Sequence, residues 1–424
     1  MKILHCLHNY HPARGGAEEL MRRVGERLAA RGHEIAVLAS NAWSVENYFL
    51  PRCGRGLMPP GEEILNGLRV RRVPFSRRGA RFLNLMRAVA RRLPVPGGPR
   101  IRALAWGPRS RAYARAAEEE AGRVDLIVAC PLPTLNVGYA WKAARRRRRP
   151  LVVVPCFHTE DPSTYDNPLY DRWMRGAEAV IALTEGEKEY LERRPGLRGV
   201  NVRVAGVGID LDPDGAPDGD RTREKYGIPA GDVILFLGQH GLHKGLKDLI
   251  AAMEIFWDGG GPACLVIAGN PTSHTPEIEK SASAVSAARG RKIIVIKGFP
   301  EEDKRALLRE ASVFVMVSPF ESFGIVFLEA WREGLPVVGC VRGASAKVIE
   351  PFADGLLVEA GRPRELAGAL LALILDPETR RRMGERGRAR VVERYAWENV
   401  IMEWEKIYRD AAGAGPASAV SRRR

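Results

Sequence analysis

The chain has 424 residues, too many for one ordinary hydrophobic core, and the length favours two or three domains. Its apolar share of 45% fits a globular protein, and no stretch reaches the roughly 18 uninterrupted apolar residues of a membrane-spanning helix. Lys and Arg number 66 against 51 Asp and Glu, and the net charge of +15 attracts polyanions: phosphorylated small molecules, nucleic acid or an anionic membrane surface.

In chain order, "MKILHCLHNYHPARGG" opens with a short apolar run broken by His5 and His8 and has no small-residue cleavage site. It reads as a first strand rather than a signal peptide, which places the chain in the cytosol. A helix over about residues 16–31 follows, then the strand-like runs "EIAVLAS", "VDLIVA", "PLVVVPC" and "AVIALT". Continuous apolar strands alternating with helices imply a parallel sheet covered on both faces, so residues 1–205 read as a Rossmann-like, doubly wound α/β domain. The pattern pauses at residues 206–223, rich in Gly, Pro and Asp, and restarts with "VILFLG", "ACLVIAG", "KIIVIKG", "SVFVMVS", "LPVVGC" and "GLLVEA". A second Rossmann-like domain over 206–395 follows. Residues 396–412 form an amphipathic helix through Trp397, Val400, Ile401, Trp404 and Ile407, expected to pack back on the first domain, and 413–424 read as a disordered tail.

Six cysteines are scattered without a C-x-x-C pair, and read as structural thiols. The basic segment 69–115 contains "RFLNLMRAVARRLPVPGG", which puts Phe82, Leu85, Met86, Val89 and Leu93 on one helical face; 144–149, "ARRRRR", is a second basic cluster. Two readings stand: peripheral contact with anionic lipid at the inner face of the membrane, or a core-packed helix beside solvated charges. Nucleic acid is disfavoured, because no aromatic stacking array accompanies the charge. "DLDPDG" at Asp210 opens like a calcium loop, but its twelfth position is Arg221 rather than a glutamate, and turn-forming aspartates are the better reading.

Ligands of doubly wound sheets bind beyond the carboxyl ends of the strands. After the first strand, Gly15 and Gly16 open a helix where backbone amides could meet a phosphate or a sugar, or where a turn merely joins two elements. After "VILFLG", Lys244 precedes a helix beginning near Leu246, so that its cation and the helix dipole would act on one anion; a solvated lysine is the plainer reading. After "SVFVMVS", "FESFGIVFLEA" sets Glu321 in a loop and Glu329 inside a helix starting near Gly324. Between them, the amides of Phe323, Gly324 and Ile325 offer donors for an anion and the carboxylates offer acceptors for hydroxyls. Taken alone, that spacing is better read as a capped helix with an ordinary ion pair.

Taken in order, "ARGGAEEL", "VIALTEGEKEYL", "GVGID", "LGQHGLHKGL", "FESFGIVFLEA", "GLPVVGC", "DGLLVEAGRPRELAGAL" and "YAW" make the chain resemble a retaining glycosyltransferase of the GT-B fold, family 4. The resemblance implies two Rossmann-like domains facing each other across a cleft, with a nucleotide-diphosphate sugar as donor. It implies that Gly15 and Gly16 lie near the donor diphosphate and that Lys244 binds it. Phe323, Gly324, Ile325 and Val326 would contact donor sugar and phosphate through backbone N–H groups, and Glu329 would hold the ribose hydroxyls. Glu321 and His158, the latter in "PCFHTED" after a first-domain strand, would touch the transferred sugar. Two positions depart from the pattern: Gln239 stands where an arginine of the diphosphate clamp is usual, and Lys347 where a glutamate is common. His240, His243 or another arginine could replace the missing cation.

The sequence therefore leads to an expectation of metal-independent transfer, without a cofactor, of a sugar to a hydroxyl acceptor. The alternatives are a nucleotide-sugar epimerase or phosphorylase of similar fold, and a non-catalytic subunit that binds a membrane or polyanion.

Overall fold

The computed structural model describes residues 1–413 apart from Arg14, 49–55, Pro94, 212–218, 321–322 and Ala344. Cys53, Glu321, most of the calcium-like loop and the tail from residue 414 lie outside the described residues. The chain divides into two compact units, residues 1–206 with those from Val400 onward, and residues 207–399.

The first unit is built on an eight-stranded sheet: β1 (Lys2–Leu7), β2 (Glu34–Ser40), β3 (Gly61–Leu65), β4 (Leu68–Val73), β5 (Leu126–Cys130), β6 (Leu151–Val153), β7 (Ala179–Ala182) and β8 (Val202–Val204). Their spatial order is β3-β4-β2-β1-β5-β6-β7-β8, so the direction of winding reverses between β1 and β5. All neighbouring pairs are parallel except β3 and β4. That hairpin turns through Asn66 and Gly67, whose φ values of 49° and 78° supply the two left-handed residues of a two-residue turn.

β5, β6 and β7 are buried along their whole length, as a sheet covered on both faces requires. Their side chains join one apolar cluster with Tyr113, Trp141 and Trp173. The helix Trp397–Gly413 closes this unit: Trp404 Nε1 donates to the Gly206 carbonyl at 3.2 Å, Tyr408 Oη lies 3.4 Å from His5 Nε2, and Glu405 binds Arg31 and His33.

The second unit has six parallel strands: β9 (Val233–Leu237), β10 (Cys264–Gly269), β11 (Ile293–Lys297), β12 (Val313–Val315), β13 (Val337–Cys340) and β14 (Gly355–Val358). They run in the order β11-β10-β9-β12-β13-β14, and the winding reverses between β9 and β12. Phe236, Phe256, Phe314, Phe327 and Trp331 fill its core.

The five described cysteines are free and buried, in keeping with structural thiols. Part of the basic segment is structural: β4 carries Arg69 and Arg71, which bind the carboxylates of Glu119 and Glu120. The core-packed reading of the following helix does not hold. In Ala80–Arg92 and just beyond, Phe82 and Leu85 are each 63% exposed and Leu93 is 60% exposed, because the helix turns other positions toward its neighbour Gly98–Trp106.

Candidate active site

In the second unit the loops after β9 and β12 meet at the point where the winding reverses, the place where open α/β sheets hold ligands. A short 3₁₀ turn, Leu242–Lys244, carries Lys244 to the start of the helix Leu246–Asp258. Between them Gly245 adopts φ 78°, and a Cβ there would collide with the Val317 carbonyl just beyond β12. A glycine is therefore needed for the two loops to touch. Ser318 Oγ adds a hydrogen bond to the His243 carbonyl at 3.3 Å. Lys244 is half-buried and Gln239 is exposed on the same loop.

The loop after β12 leads into the helix Ile325–Arg332, whose N-cap is Gly324 at φ 85°. Phe323 is buried and packs edge-on to Tyr395, with centroids 5.9 Å apart, which fixes the entry to the helix. Ile325 and Val326 occupy the first turn, where amides have no carbonyl of their own helix to bind. Glu329 lies one turn in. Its Oε1 accepts from Lys304 Nζ at 2.5 Å, while Oε2 is buried without a hydrogen-bond partner among the described residues. A buried carboxylate oxygen needs a donor, and a ligand hydroxyl is one group that could supply it.

His240 does not replace the missing cation. Its side chain is buried, with Nδ1 at 3.4 Å from Thr275 Oγ1, and burial lowers its pKa, so the ring is neutral at neutral pH. His243 is exposed on the loop, and Lys347 is exposed on the short helix Ser345–Val348 after β13.

In the first unit the helix Gly16–Ala30 follows the loop after β1, with Gly15 as N-cap. A Cβ on Gly15 would run into the Glu18 carboxylate, whereas one on Gly16 would meet nothing within 4 Å. Packing within the protein therefore does not demand glycine at position 16. Glu18 is held by His8 Nε2 at 3.1 Å and Asn9 Nδ2 at 3.5 Å, and Tyr48 Oη donates to Asn9 Oδ1 at 2.5 Å. Burial works to raise the Glu18 pKa, but its contacts with His8 outweigh this and lower it.

His158 lies half-buried in the loop after β6, two strands from β1, its ring 5.5 Å from that of Tyr165. The loop is tied down through the preceding residue. Phe157 N donates to Glu187 Oε1 at 2.7 Å, and Leu183 N donates to Glu187 Oε2 at 2.7 Å. Thr184 caps the helix Glu185–Arg193, its Oγ1 accepting from Glu187 N at 3.0 Å, while the Glu187 carboxylate reaches back past the cap to Leu183. Burial pushes the Glu187 pKa up to about 7, against the two amides that favour its charge. Glu187, Glu18 and Lys304 were not singled out in the sequence; the T-x-x-E spacing at Thr184 was the one signal that could have pointed to Glu187.

Two family models match successive parts of the chain: "Glycosyl transferase 4-like domain" over residues 15–208 and "Glycosyl transferases group 1" over residues 218–390. The chain belongs to the GT-B glycosyltransferases of family 4 type. Among its relatives in this family, the alpha-maltose-1-phosphate synthase of Mycolicibacterium smegmatis is 32% identical over 56% of this chain and 64% of that protein. The alpha-D-kanosaminyltransferase of Streptomyces kanamyceticus is 29% identical over 56% of this chain and 61% of its own. The chain thus spans about three fifths of the length of the curated relatives it matches.

Solved GT-B structures share the fold. Sucrose-phosphate synthase from Thermosynechococcus elongatus superposes with a TM-score of 0.73 at 20% identity, covering 98% of this chain and 99% of that one. Anabaena HepE in complex with UDP and glucose gives 0.72 at 18% identity, covering 97% and 100%.

Proposed function

We propose that the chain transfers a glycosyl group from a nucleotide-diphosphate sugar to a hydroxyl acceptor, with retention at the anomeric carbon. The observation that carries this reading is the meeting of the Lys244 and Phe323–Glu329 loops at the winding reversal of the second unit, with Glu329 Oε2 buried and without a partner among the described residues. A nucleotide sugar has the matching chemistry: a diphosphate for the Lys244 cation and the helix end, and ribose hydroxyls for a carboxylate oxygen. The similarity to HepE, solved with UDP-glucose, agrees with such a donor.

In this proposal Lys244 and the amides of Phe323, Gly324, Ile325 and Val326 stabilise the charge that develops on the departing diphosphate, with no covalent nucleophile, metal or cofactor called on. Glu329 holds the ribose. Gly16 is kept free of a side chain so that the diphosphate can approach the Gly15–Gly16 backbone. His158 and Glu321 contact the transferred sugar. Gln239 supplies a neutral amide where a cation is usual, which leaves more of the charge to Lys244.

Thermal shift with a panel of nucleotide sugars tests the donor part. Stabilisation by at least one nucleotide sugar, lost in Lys244→Ala, supports the reading. Consumption of that donor without an acceptor would point to an epimerase, phosphate-dependent cleavage to a phosphorylase, and no nucleotide affinity to a non-catalytic subunit.

A further inference from the structure

Between Ile64 and Ala117 the chain carries fourteen arginines and no Asp or Glu. Several of these arginines are committed within the protein. Arg69 and Arg71 bind Glu119 and Glu120, Arg109 donates to the carbonyls of Ser76 and Arg78, and Arg87 lies 4.7 Å over the Trp106 ring. Arg78, Arg81 and Arg92 remain exposed around the helix Ala80–Arg92.

The same helix shows its apolar residues to solvent. Phe82 and Leu85, three residues apart, are each 63% exposed, Val89 one turn further is half-buried, and Leu93 just past the helix end is 60% exposed. Helical spacing puts Phe82, Leu85 and Val89 along one side, and Leu93 follows at the helix end. Large apolar side chains left out of the core and rimmed by charge mark an interaction surface.

We propose that this helix docks on an anionic phospholipid bilayer, with Phe82, Leu85 and Leu93 entering the boundary between headgroups and acyl chains and Arg78, Arg81 and Arg92 over the phosphates. The charge selects the occupant. A second copy of the chain would bring the same positive field against its own, whereas an anionic surface is attracted by it. A nucleic acid would be drawn by the charge but gives Leu85 and Leu93 no apolar phase to enter. No helix among the described residues is long and apolar enough to cross a membrane, so the contact is peripheral.

The proposal does not draw on the other basic cluster, several of whose arginines have partners within the protein. Arg146 binds Glu118 at 2.6 Å, Arg145 lies over Trp141, and Arg149 donates to the Gly122 carbonyl. The proposal is independent of the transfer reaction, and its failure would leave that reading intact.

Co-sedimentation of the full chain with vesicles tests it. Vesicles of phosphatidylcholine with about a third phosphatidylglycerol should pellet the protein at low salt, and phosphatidylcholine alone should not. The exposed triple variant Phe82→Ser, Leu85→Ser, Leu93→Ser should keep the wild-type melting temperature and lose roughly tenfold or more in partition. Arg78→Gln, Arg81→Gln, Arg92→Gln should lose binding and much of its salt dependence. No binding to anionic vesicles, equal binding to neutral ones, or triple variants that bind like wild type would overturn the proposal. So would a dimer dissolved by the serine substitutions in a chain that ignores lipid.

Discussion

Phe157 donates its amide to Glu187 Oε1 at 2.7 Å, which fastens the loop carrying His158 to the helix that follows β7. The carboxylate is buried and binds a second amide, that of Leu183, so neither oxygen is spare for a ligand. Glu187 is thus a positioning residue for its neighbour's loop. Glu187→Gln keeps the shape but turns an NH₂ toward one of the two amide donors, and transfer should fall roughly tenfold through misplacement of His158. A steady-state comparison checks this; unchanged kcat and KM would dismiss the role.

The same carboxyl makes stability depend on pH. Its folded pKa of about 7 lies above the ordinary 4.5, so the folded state holds the proton more tightly than the unfolded chain. That contribution is fully present below about 4.5 and is lost as pH rises through about 7. Melting temperatures measured from about pH 5 to pH 8 should therefore decline more steeply for wild type than for Glu187→Gln, which has no proton to lose. Parallel curves would contradict it.

Lys244→Ala should lower kcat by about a hundredfold or more, since it removes a cation from the departing diphosphate. Lys244→Arg should recover part of the loss. The donor KM should rise as kcat falls, because the diphosphate is already charged in the ground state and gains further charge as it leaves. Near-normal turnover in the alanine variant would remove Lys244 from the site.

Glu329 Oε2 has no hydrogen-bond partner among the described residues, and the ribose is proposed to supply one. Glu329→Gln should weaken nucleoside diphosphate binding by roughly tenfold. A 2′,3′-dideoxy analogue should bind wild type more weakly but bind the variant about as well as the parent nucleotide does. Calorimetry on this double cycle reads the coupling directly, and additive losses would place the ribose elsewhere.

Gly245→Ala tests the contact between the two loops. Its positive φ and the Val317 carbonyl in the path of a Cβ together should cost about 1–3 kcal/mol, seen as a lower melting temperature, with donor affinity falling alongside. A variant with wild-type stability and affinity would show that the loops need not meet.

Most of the fold was legible because parallel strands buried on both faces leave continuous apolar runs, as in "LIVAC" of β5 and "VILFL" of β9. The β3–β4 hairpin was missed: β3 is nearly all exposed and β4 alternates arginine with apolar residues, so neither has that signature, although Asn66-Gly67 is a strong turn signal. Lys244, Gly324 and Glu329 could be placed because each follows a recognisable strand. Glu187 and Lys304 could not, since their partners, Phe157 and Glu329, are 30 and 25 positions away in sequence. The exposure of Phe82, Leu85 and Leu93 was also beyond the sequence, because helical spacing defines a face without saying what covers it.

The central claim is best tested on the product itself. Nucleotide sugars that stabilise the protein are incubated with a panel of hydroxyl acceptors, and the anomeric configuration of the glycoside is read by NMR. The account predicts the donor's configuration in the product, one nucleoside diphosphate released per glycoside formed, and little product from Lys244→Ala. An inverted product, or donor cleavage that requires phosphate instead of an acceptor hydroxyl, would contradict it.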